Sequence, residues 1–300
     1  MRLRSRSTSR GMSMKNNLIG DQTAERPEPR SRRSDFRPAV LAGTLALACG
    51  LGVLSVVHAA PVKAGTVQGQ AVDHKGKPLA GLHVWIKPGL TTGVVDVLTG
   101  PDGRYRVDGL PYLPYTAHAW YPVTYKGQTY CYRLAHPSAA EYQPFNAQSG
   151  TTRNFRWQLS GKIPGVEDYK GTGFYGGTLA LPPAAYREDM GSLEAEDRLE
   201  VTLTPVGPLI DGSPGKKLVL KTNEISQIYD VPVGTYAASA VAVTPAGARR
   251  PVLLAGEYSG QPAPSVTFTF EGLKAGESCV GKLSTWTATR NLYYFVPAKP

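Results

Sequence analysis

The sequence has few of the residue patterns that carry catalysis. No GxSxG nucleophile elbow occurs, and the glycine-rich stretch 171–177 lacks the Lys-Ser/Thr ending of a phosphate-binding loop. The acidic cluster at 188–200 does not have the spacing of a calcium loop, which favours a solvated acidic face. The histidines lack close ligand spacing and none has glutamate three residues later: His58, His74, His83, His118 and His136. We expect no catalytic residues, no metal site and no cofactor.

Cysteine is also scarce. Of the three cysteines, Cys49 lies in an apolar run near the start, which leaves Cys131 and Cys279. An even pair predicts a disulfide if the protein reaches an oxidising compartment, and two unpaired buried thiols are the alternative. Closing so long a loop contributes roughly 4–5 kcal/mol in the chain-entropy model. A catalytic thiolate at Cys131 is less favoured, because TYCYR reads as a strand.

Basic residues are in excess but concentrate at the start. The formal net charge is +10, and residues 1–40 hold ten Lys/Arg against four Asp/Glu, a net +6, which leaves +4 for residues 41–300. No basic helix and no RNA-binding aromatic motif follows residue 40. We therefore expect no nucleic-acid partner, and residues 1–37 are predicted to be a basic, disordered segment.

The segment 38–60 predicts export. Residues 38–57 contain no charge, and VHA and HAA, which resemble the small-residue cleavage motif of a signal peptide, follow directly. Arginines before such a run indicate a signal peptide cleaved near Ala59 or Ala60. The run is long for a signal core, so an uncleaved anchor is the rival, with 38–57 as the sole membrane contact. Both alternatives place the rest of the chain outside the cytoplasm.

The remaining sequence reads as short strands. Gly 33 and Pro 25 favour many tight turns. In 82–87, Leu82, Val84 and Ile86 alternate with polar and aromatic residues, and VTYKGQTY predicts a hairpin with Lys126 and Gly127 at its tip. The stretches RLEVTLTP, KKLVLKT, GTYAASAVAV and SVTFTFEGL are strand-like in the second half. Only residues 184–200 have the composition for a helical turn or two.

The first of these strands carry a family resemblance. The stretch GTVQGQAVDHKGKPLAGLHVWI, a threonine-containing link and DGRYRVDGLPYLPY resemble the carboxypeptidase regulatory-like domain over residues 65–123. The resemblance implies a prealbumin-like β-sandwich and says little about function, because this module is an accessory to its neighbours. The matching positions are mostly turn or core residues: Gly65, Val67, Gly69, Val72, Asp73, Gly76, Pro78, Leu79, Ala80, Gly81, Val84, Asp102, Gly103, Tyr105, Val107, Gly109, Leu110, Pro111 and Tyr115.

A sequence pattern that occurs twice, called here the internal echo, predicts a second sandwich. The stretch DGLPYLPYTAHAW from Asp108 is matched by DVPVGTYAASAVAV from Asp230, so that Tyr115 corresponds to Tyr236. We predict an all-β protein of two β-sandwich domains after the signal or anchor. Residues 65–160 form the prealbumin-like sandwich, and residues 165–300 form a diverged Ig/prealbumin-like one.

Aromatic side chains supply the predicted binding site. If the odd-numbered residues of 115–119 face the core, the even-numbered ones face outward with His83 and Trp85. Such a platform stacks against sugar rings or a protein partner, and the alternative is that other parts of the chain cover it. The predicted platform consists of His83, Trp85, His118, Trp120 and Tyr125.

The sequence thus predicts an exported, non-catalytic binding or structural module of the cell envelope or extracellular space. A polysaccharide is the first expected partner, on fold analogy, and an envelope protein is the second. One alternative is a membrane-anchored protein-interaction scaffold. The other is an enzyme with its site in 124–230, which His136 clustered with Glu167, Asp168, Glu188 or Asp189 would favour.

Overall fold

The structure is a computed structural model that describes residues 61–184, 190–194, 196–223, 226–274, 277–279 and 288–297. The basic segment 1–37 and the predicted signal or anchor 38–60 lie outside the described residues. No helix in the described ranges is long and apolar enough to cross a membrane. The described residues belong to one compact unit, and nearly all of their regular structure is β.

The first half forms two sheets. In the four-stranded sheet the order is β4-β1-β8, with β9 also paired to β1, and in the five-stranded sheet it is β3-β2-β5-β6, with β7 paired to β5. Two short 3-10 helices, Ala139–Tyr142 and Ala147–Ser149, flank β7. The strands are β1 (Val67–Val72), β2 (His83–Pro88), β3 (Val95–Leu98), β4 (Arg104–Val107), β5 (Pro114–Tyr125), β6 (Gln128–Arg133), β7 (Phe145–Asn146), β8 (Thr151–Thr152) and β9 (Phe155–Arg156).

The alternation of apolar residues determines which faces of these sheets meet. Buried residues alternate along β2 and along β5 up to Ala119, and Val67 and Ala71 are the buried residues of β1, as expected for strands with one face on a core. The β5–β6 hairpin turns at Lys126 and Gly127, whose φ angles of 49° and 76° lie in the left-handed region, as the sequence predicts. The core between the two sheets contains Val67, Ala71, Val84, Ile86, Tyr105, Tyr115, Ala117, Ala119 and Phe155.

The second half is also built from β-sheets. Its described strands form a three-stranded sheet of order β14-β10-β18 and a seven-stranded sheet of order β11-β19-β16-β15-β12-β13, with β17 paired to β15. The strands are β10 (Gly177–Ala180), β11 (Met190–Gly191), β12 (Arg198–Pro205), β13 (Leu218–Lys221), β14 (Gln227–Val231), β15 (Thr235–Val243), β16 (Arg249–Ala255), β17 (Val266–Thr269), β18 (Thr289–Asn291) and β19 (Tyr293–Pro297).

The two halves share buried contacts. Tyr130 donates a hydrogen bond from its hydroxyl to the Phe270 carbonyl oxygen at 2.5 Å, and one hydrophobic cluster contains residues of both halves. The Asp230 carboxylate accepts from the backbone N–H of Gly161 at 2.8 and 2.7 Å. The sheets nonetheless separate along the sequence, since no strand before β10 pairs with a later one among the described residues. The domain limits 65–160 and 165–300 stay a prediction.

The internal echo has a structural counterpart. The Tyr115 hydroxyl donates to the Pro111 carbonyl oxygen at 3.1 Å, and the Tyr236 hydroxyl donates to the Pro232 carbonyl oxygen at 2.7 Å. Both tyrosines therefore reach back four residues to a proline at the start of a long buried strand. The shared sequence pattern encodes a shared local bond.

Two details differ from the sequence analysis. The threonine-containing link contains an additional strand, β3, because Val95 and Val97 are β-branched residues that pair with β2. Within 184–200, where the sequence predicts a helical turn or two, residues 185–189 and 195 lie outside the described ranges. The described residues contain β11, which pairs with β19, and the start of β12, which pairs with β15.

Candidate functional site

The outer face of the five-stranded sheet gathers four of the predicted platform residues. In the β2–β5 register His83 lies opposite Trp120, and Trp85 lies opposite His118. The two tryptophan rings are 6.2 Å apart between centroids and tilted by 58°. The alternation thus places these side chains together, on the face away from the core between the sheets.

This face is covered and does not form an open platform. Trp120 is 2% exposed and packs with Cys131 and Cys279, while Trp85 and Leu273 pack against the same cluster. The disulfide between Cys131 and Cys279, with Cα atoms 5.4 Å apart, confirms the predicted pairing. It brings a segment from the end of the second half onto the tryptophans. The expectation that Trp120 faces solvent is therefore wrong.

Tyr125 does not belong to this face. It is an odd-numbered residue of β5 and is buried on the inward side, with its hydroxyl donating to the Pro208 carbonyl oxygen at 2.9 Å. The same hydroxyl accepts the backbone N–H of Thr235 at 3.0 Å. Tyr125 therefore joins the two halves and is not available to a ligand.

On the covered face, burial favours the neutral form of His118, and the neighbouring Arg133 adds to this effect. The Arg133 guanidinium lies over the Trp120 ring at 5.6 Å and approaches His118 Nδ1 at 3.2 Å. Burial, together with this positive charge, lowers the pKa of His118 to about 3. The cavity beside Trp120 and Arg133 measures about 20 Å³, which is enough for about one water molecule. His83, Trp85 and His118 are half-buried on this face, and His83 Nδ1 lies 3.0 Å from Asp96 at its margin.

The outer face of the four-stranded sheet is open and carries a groove of about 370 Å³. In β1 the residues Val67 and Ala71 face the core, so the glutamines between them point outward, and Arg104 and Arg106 of β4 lie beside those glutamines. The groove is lined by Gln68, Gly69, Gln70, Arg104, Tyr105, Arg106, Thr152 and Asn154.

A break between β8 and β9 shapes the groove. Both strands pair with β1, but at the break the Arg153 N–H donates to the Gln68 carbonyl oxygen at 2.8 Å and Asn154 Oδ1 accepts the Gln70 N–H at 2.9 Å. Gly69 allows this close approach, because a Cβ there would overlap the Arg153 carbonyl oxygen and lie 2.8 Å from the Tyr105 ring. The Tyr105 hydroxyl donates to that carbonyl oxygen at 2.7 Å.

Opposite charges balance within the groove. Arg106 binds Asp108 through two nitrogens, each at 2.8 Å, and also donates to Gln68 Oε1 at 2.7 Å. The hydrogen bonds from Arg106 and Thr66 lower the pKa of Asp108 to about 2. The Arg104 Nε lies 3.6 Å from an Asp102 oxygen. Each arginine of the groove thus has a carboxylate beside it, and the charges within the two pairs balance.

Several polar groups of the groove remain available. Among the described residues, no hydrogen bond is made by Gln68 Nε2, Gln70 Oε1 or Asn154 Nδ2. Amide groups offer both donors and acceptors at this surface. The sequence analysis missed this site, although the same alternation that placed Val67 and Ala71 in the core marks Gln68 and Gln70 as outward-facing.

Among the described residues, His136 forms no hydrogen bond or ion pair with Glu167 or Asp168, the described carboxylates of the enzyme alternative. His136 is buried with its two ring nitrogens each 3.0 Å from a carbonyl oxygen, those of Ala117 and Asn154. Its nearest carboxylate is Glu141, at 3.9 Å. Asp168 accepts the N–H groups of Gly171 and Gly173 in its own loop instead. Residues 188 and 189 lie outside the described ranges, and within those ranges no metal-ligating cluster occurs.

Comparison with known proteins yields distant structural likenesses. No protein-family model and no curated protein matches the chain. The Streptococcal ancillary pilin is 14% identical with a TM-score of 0.23, covering 76% of this chain and 62% of its own. The Bacillus anthracis TIE protein is 10% identical with a TM-score of 0.28, covering 77% and 34%. The minor pilin GBS52 of Streptococcus agalactiae is 13% identical with a TM-score of 0.24, covering 79% and 98%.

The chain spans less than two thirds of the first two of these proteins. Likenesses this remote concern the β-sandwich architecture and carry no argument about function. The described chain itself is all-β, as the sequence predicts, and its disulfide is typical of proteins outside the cytoplasm.

Proposed function

We propose that the protein is an exported, non-catalytic binding module whose groove on the four-stranded sheet binds a neutral polysaccharide. The observation that carries the proposal is the open groove of about 370 Å³ with available amide groups and balanced charge. Export rests on the uncharged run 38–57 and on the disulfide.

The chemistry of the groove favours sugars over other ligand classes. Pockets for compact small molecules are mostly apolar and enclosed, whereas this groove is open and most of the side chains that line it carry polar groups. A sugar chain offers neutral hydroxyl groups, each a donor and an acceptor, which match the amides of Gln68, Gln70 and Asn154. An anionic ligand at Arg106 would have to displace Asp108, which that guanidinium already binds through two nitrogens. We also propose that residues 65–123 form a carboxypeptidase regulatory-like domain. Such a domain is an accessory module, which is consistent with a binding role.

A polysaccharide screen with matched variants tests the proposal. We expect the intact chain to bind at least one neutral polysaccharide, and the double variant Gln70→Ala with Asn154→Ala to lose that binding by more than tenfold. The variant removes one available group from each of two side chains, and two hydrogen bonds at about 1 kcal/mol each amount to an effect of that order. The control is His83→Ala on the covered face, which keeps wild-type affinity. Absence of binding to every neutral polysaccharide would contradict the function.

A membrane-anchored scaffold is the second candidate. The observation that favours it is a concentration of exposed apolar side chains between residues 90 and 112, in the β2–β3 hairpin and a neighbouring loop. It requires retention of residues 38–57. The intact mass of protein recovered from the membrane fraction decides between a retained segment and a product that begins near Ala60.

A further inference from the structure

Exposed apolar side chains gather at one end of the first half. Nine large hydrophobic side chains are exposed in the described chain, and five of them lie between residues 90 and 112. Leu90 is 73% exposed and Tyr112 is 64% exposed, and Val94 and Val95 follow Leu90 in the same hairpin. We call Leu90, Val94, Val95 and Tyr112 the apolar end. Isolated exposed apolar residues are normal, but a gathered set indicates a contact surface.

The apolar end is built from two loops that lie side by side. The Gly89 N–H donates to the Pro114 carbonyl oxygen at 2.8 Å, which holds the loop that carries Leu90 against the loop that carries Tyr112. Pro88 lies opposite Tyr115 in the same register, and Val95 lies opposite Ile86. The two loops therefore end at the same edge of the sandwich.

The described chain starts at this same end. The Gly65 N–H donates to the Ala147 carbonyl oxygen at 2.8 Å, and the Gly65 carbonyl oxygen accepts the Leu110 N–H at 2.9 Å, two residues before Tyr112. Only residues 58–60 separate the uncharged run 38–57 from Pro61. A link of this length spans at most about 14 Å. A run held in a bilayer would therefore keep the apolar end near the bilayer surface.

We propose that residues 38–57 are retained as a membrane anchor and that the apolar end lies on the lipid surface. This surface is separate from the polysaccharide groove and rests on the anchored alternative. Tyrosine and exposed aliphatic side chains are favoured at the lipid–water boundary. Strand β5, of 12 residues, leads from Pro114 at the apolar end to Tyr125 beside Pro208, about 36 Å away at about 3.3 Å per residue. The second half then lies on the solvent side.

Site-specific labelling of the full chain in phosphatidylcholine vesicles tests this arrangement. Single cysteines, Leu90→Cys and Tyr112→Cys, are introduced in a Cys49→Ser background and labelled with an environment-sensitive dye. The matched controls are Val219→Cys and Tyr258→Cys, both 56% exposed in the second half. Nitroxide-bearing lipids are expected to quench the dye several-fold more strongly at positions 90 and 112 than at positions 219 and 258.

Each other outcome overturns the proposal. Equal quenching at the four positions, including none, removes the lipid contact. Self-quenching at positions 90 and 112 that rises with protein concentration, without lipid quenching, assigns the surface to a second copy of the chain. Recovery of only a processed protein that begins near Ala60 excludes the anchor. Polysaccharide binding is measured on the same vesicles, so that its retention with failed lipid quenching separates this inference from the groove.

Discussion

The two outer faces of the first half differ in what covers them. The face of the five-stranded sheet is aromatic and lies beneath the segment that Cys279 attaches to Cys131, so Trp120 is buried. The face of the four-stranded sheet is polar, carries balanced charge and is open as a groove. Alternation along a strand therefore identifies the residues that point away from a core, but not whether a later segment of the chain covers them.

Breaking the disulfide has the largest expected effect on this comparison. The double variant Cys131→Ser with Cys279→Ser opens a link between residues 148 apart, which costs roughly 4–5 kcal/mol in the free energy of unfolding by the chain-entropy model. Urea unfolding measures the loss, and tryptophan emission under native conditions should shift to longer wavelength as Trp85 and Trp120 gain solvent. Cys49→Ser is the control. An unchanged emission spectrum in a folded double variant would show that the disulfide does not hold the cover.

Adding a side chain at Gly69 has the second largest expected effect, and it acts on the open face. In Gly69→Ala the added Cβ meets the Arg153 carbonyl oxygen and the Tyr105 ring, and overpacking of this kind costs about 1–3 kcal/mol. We expect thermal unfolding at lower temperature and a weakened polysaccharide affinity together. The matched control is Gly89→Ala, where the nearest atom to a Cβ is 3.5 Å away. Equal stability of the two variants would contradict the account of the break between β8 and β9.

Acid should destabilise the covered face through His118. Its folded-state pKa is lowered to about 3 by burial and by Arg133, so between about pH 6.5 and pH 3 the unfolded chain binds a proton that the folded chain does not. Stability therefore falls as pH falls through this window, by on the order of 1 kcal/mol per pH unit. Urea unfolding from pH 7 to pH 4 should show a shallower loss for His118→Gln than for the wild type. Parallel curves would exclude His118 as the cause.

The open face should be insensitive to acid over the same range. Because the pKa of Asp108 is lowered to about 2 by Arg106 and Thr66, its carboxylate stays ionised above that pH and continues to bind Arg106. Polysaccharide affinity, measured by calorimetry at pH 7 and pH 4, is expected to be equal in the wild type. Asp108→Asn frees Arg106 and should change affinity at both values. A wild-type affinity that falls at pH 4 would argue against this ion pair as the source of charge balance.

Local patterns predicted much of the fold. Alternation identified β1, β2, β4, β5 and the hairpin tip at Lys126, and the Asp-to-Tyr echo predicted the equivalence of Tyr115 and Tyr236. The cysteine count predicted the Cys131–Cys279 pair. Each of these predictions depends on residues that are close in sequence or, for the disulfide, on the presence of two cysteines after the apolar run.

The covered face could not be predicted in the same way. The disulfide joins residues 148 apart, and only the folded structure shows that Cys279 arrives over Trp120 on the outward side of β6. The groove depends on the approach of the Arg153 carbonyl oxygen to Gly69, again across a long stretch of chain. Sites of this kind form from residues that are far apart in the sequence. The only sign of the groove in the sequence is therefore the alternation that points Gln68 and Gln70 outward.

Mapping the bound polysaccharide onto the two faces shows whether the groove is the binding site. Amide and side-chain chemical shifts are measured by NMR as the polysaccharide selected in the screen is added to the oxidised protein. We expect shifts confined to the groove, at Gln68, Gln70, Thr152 and Asn154, with the indole signals of Trp85 and Trp120 unchanged. Shifts at the two indoles and at His83, with the groove unchanged, would contradict it and return the binding site to the aromatic face.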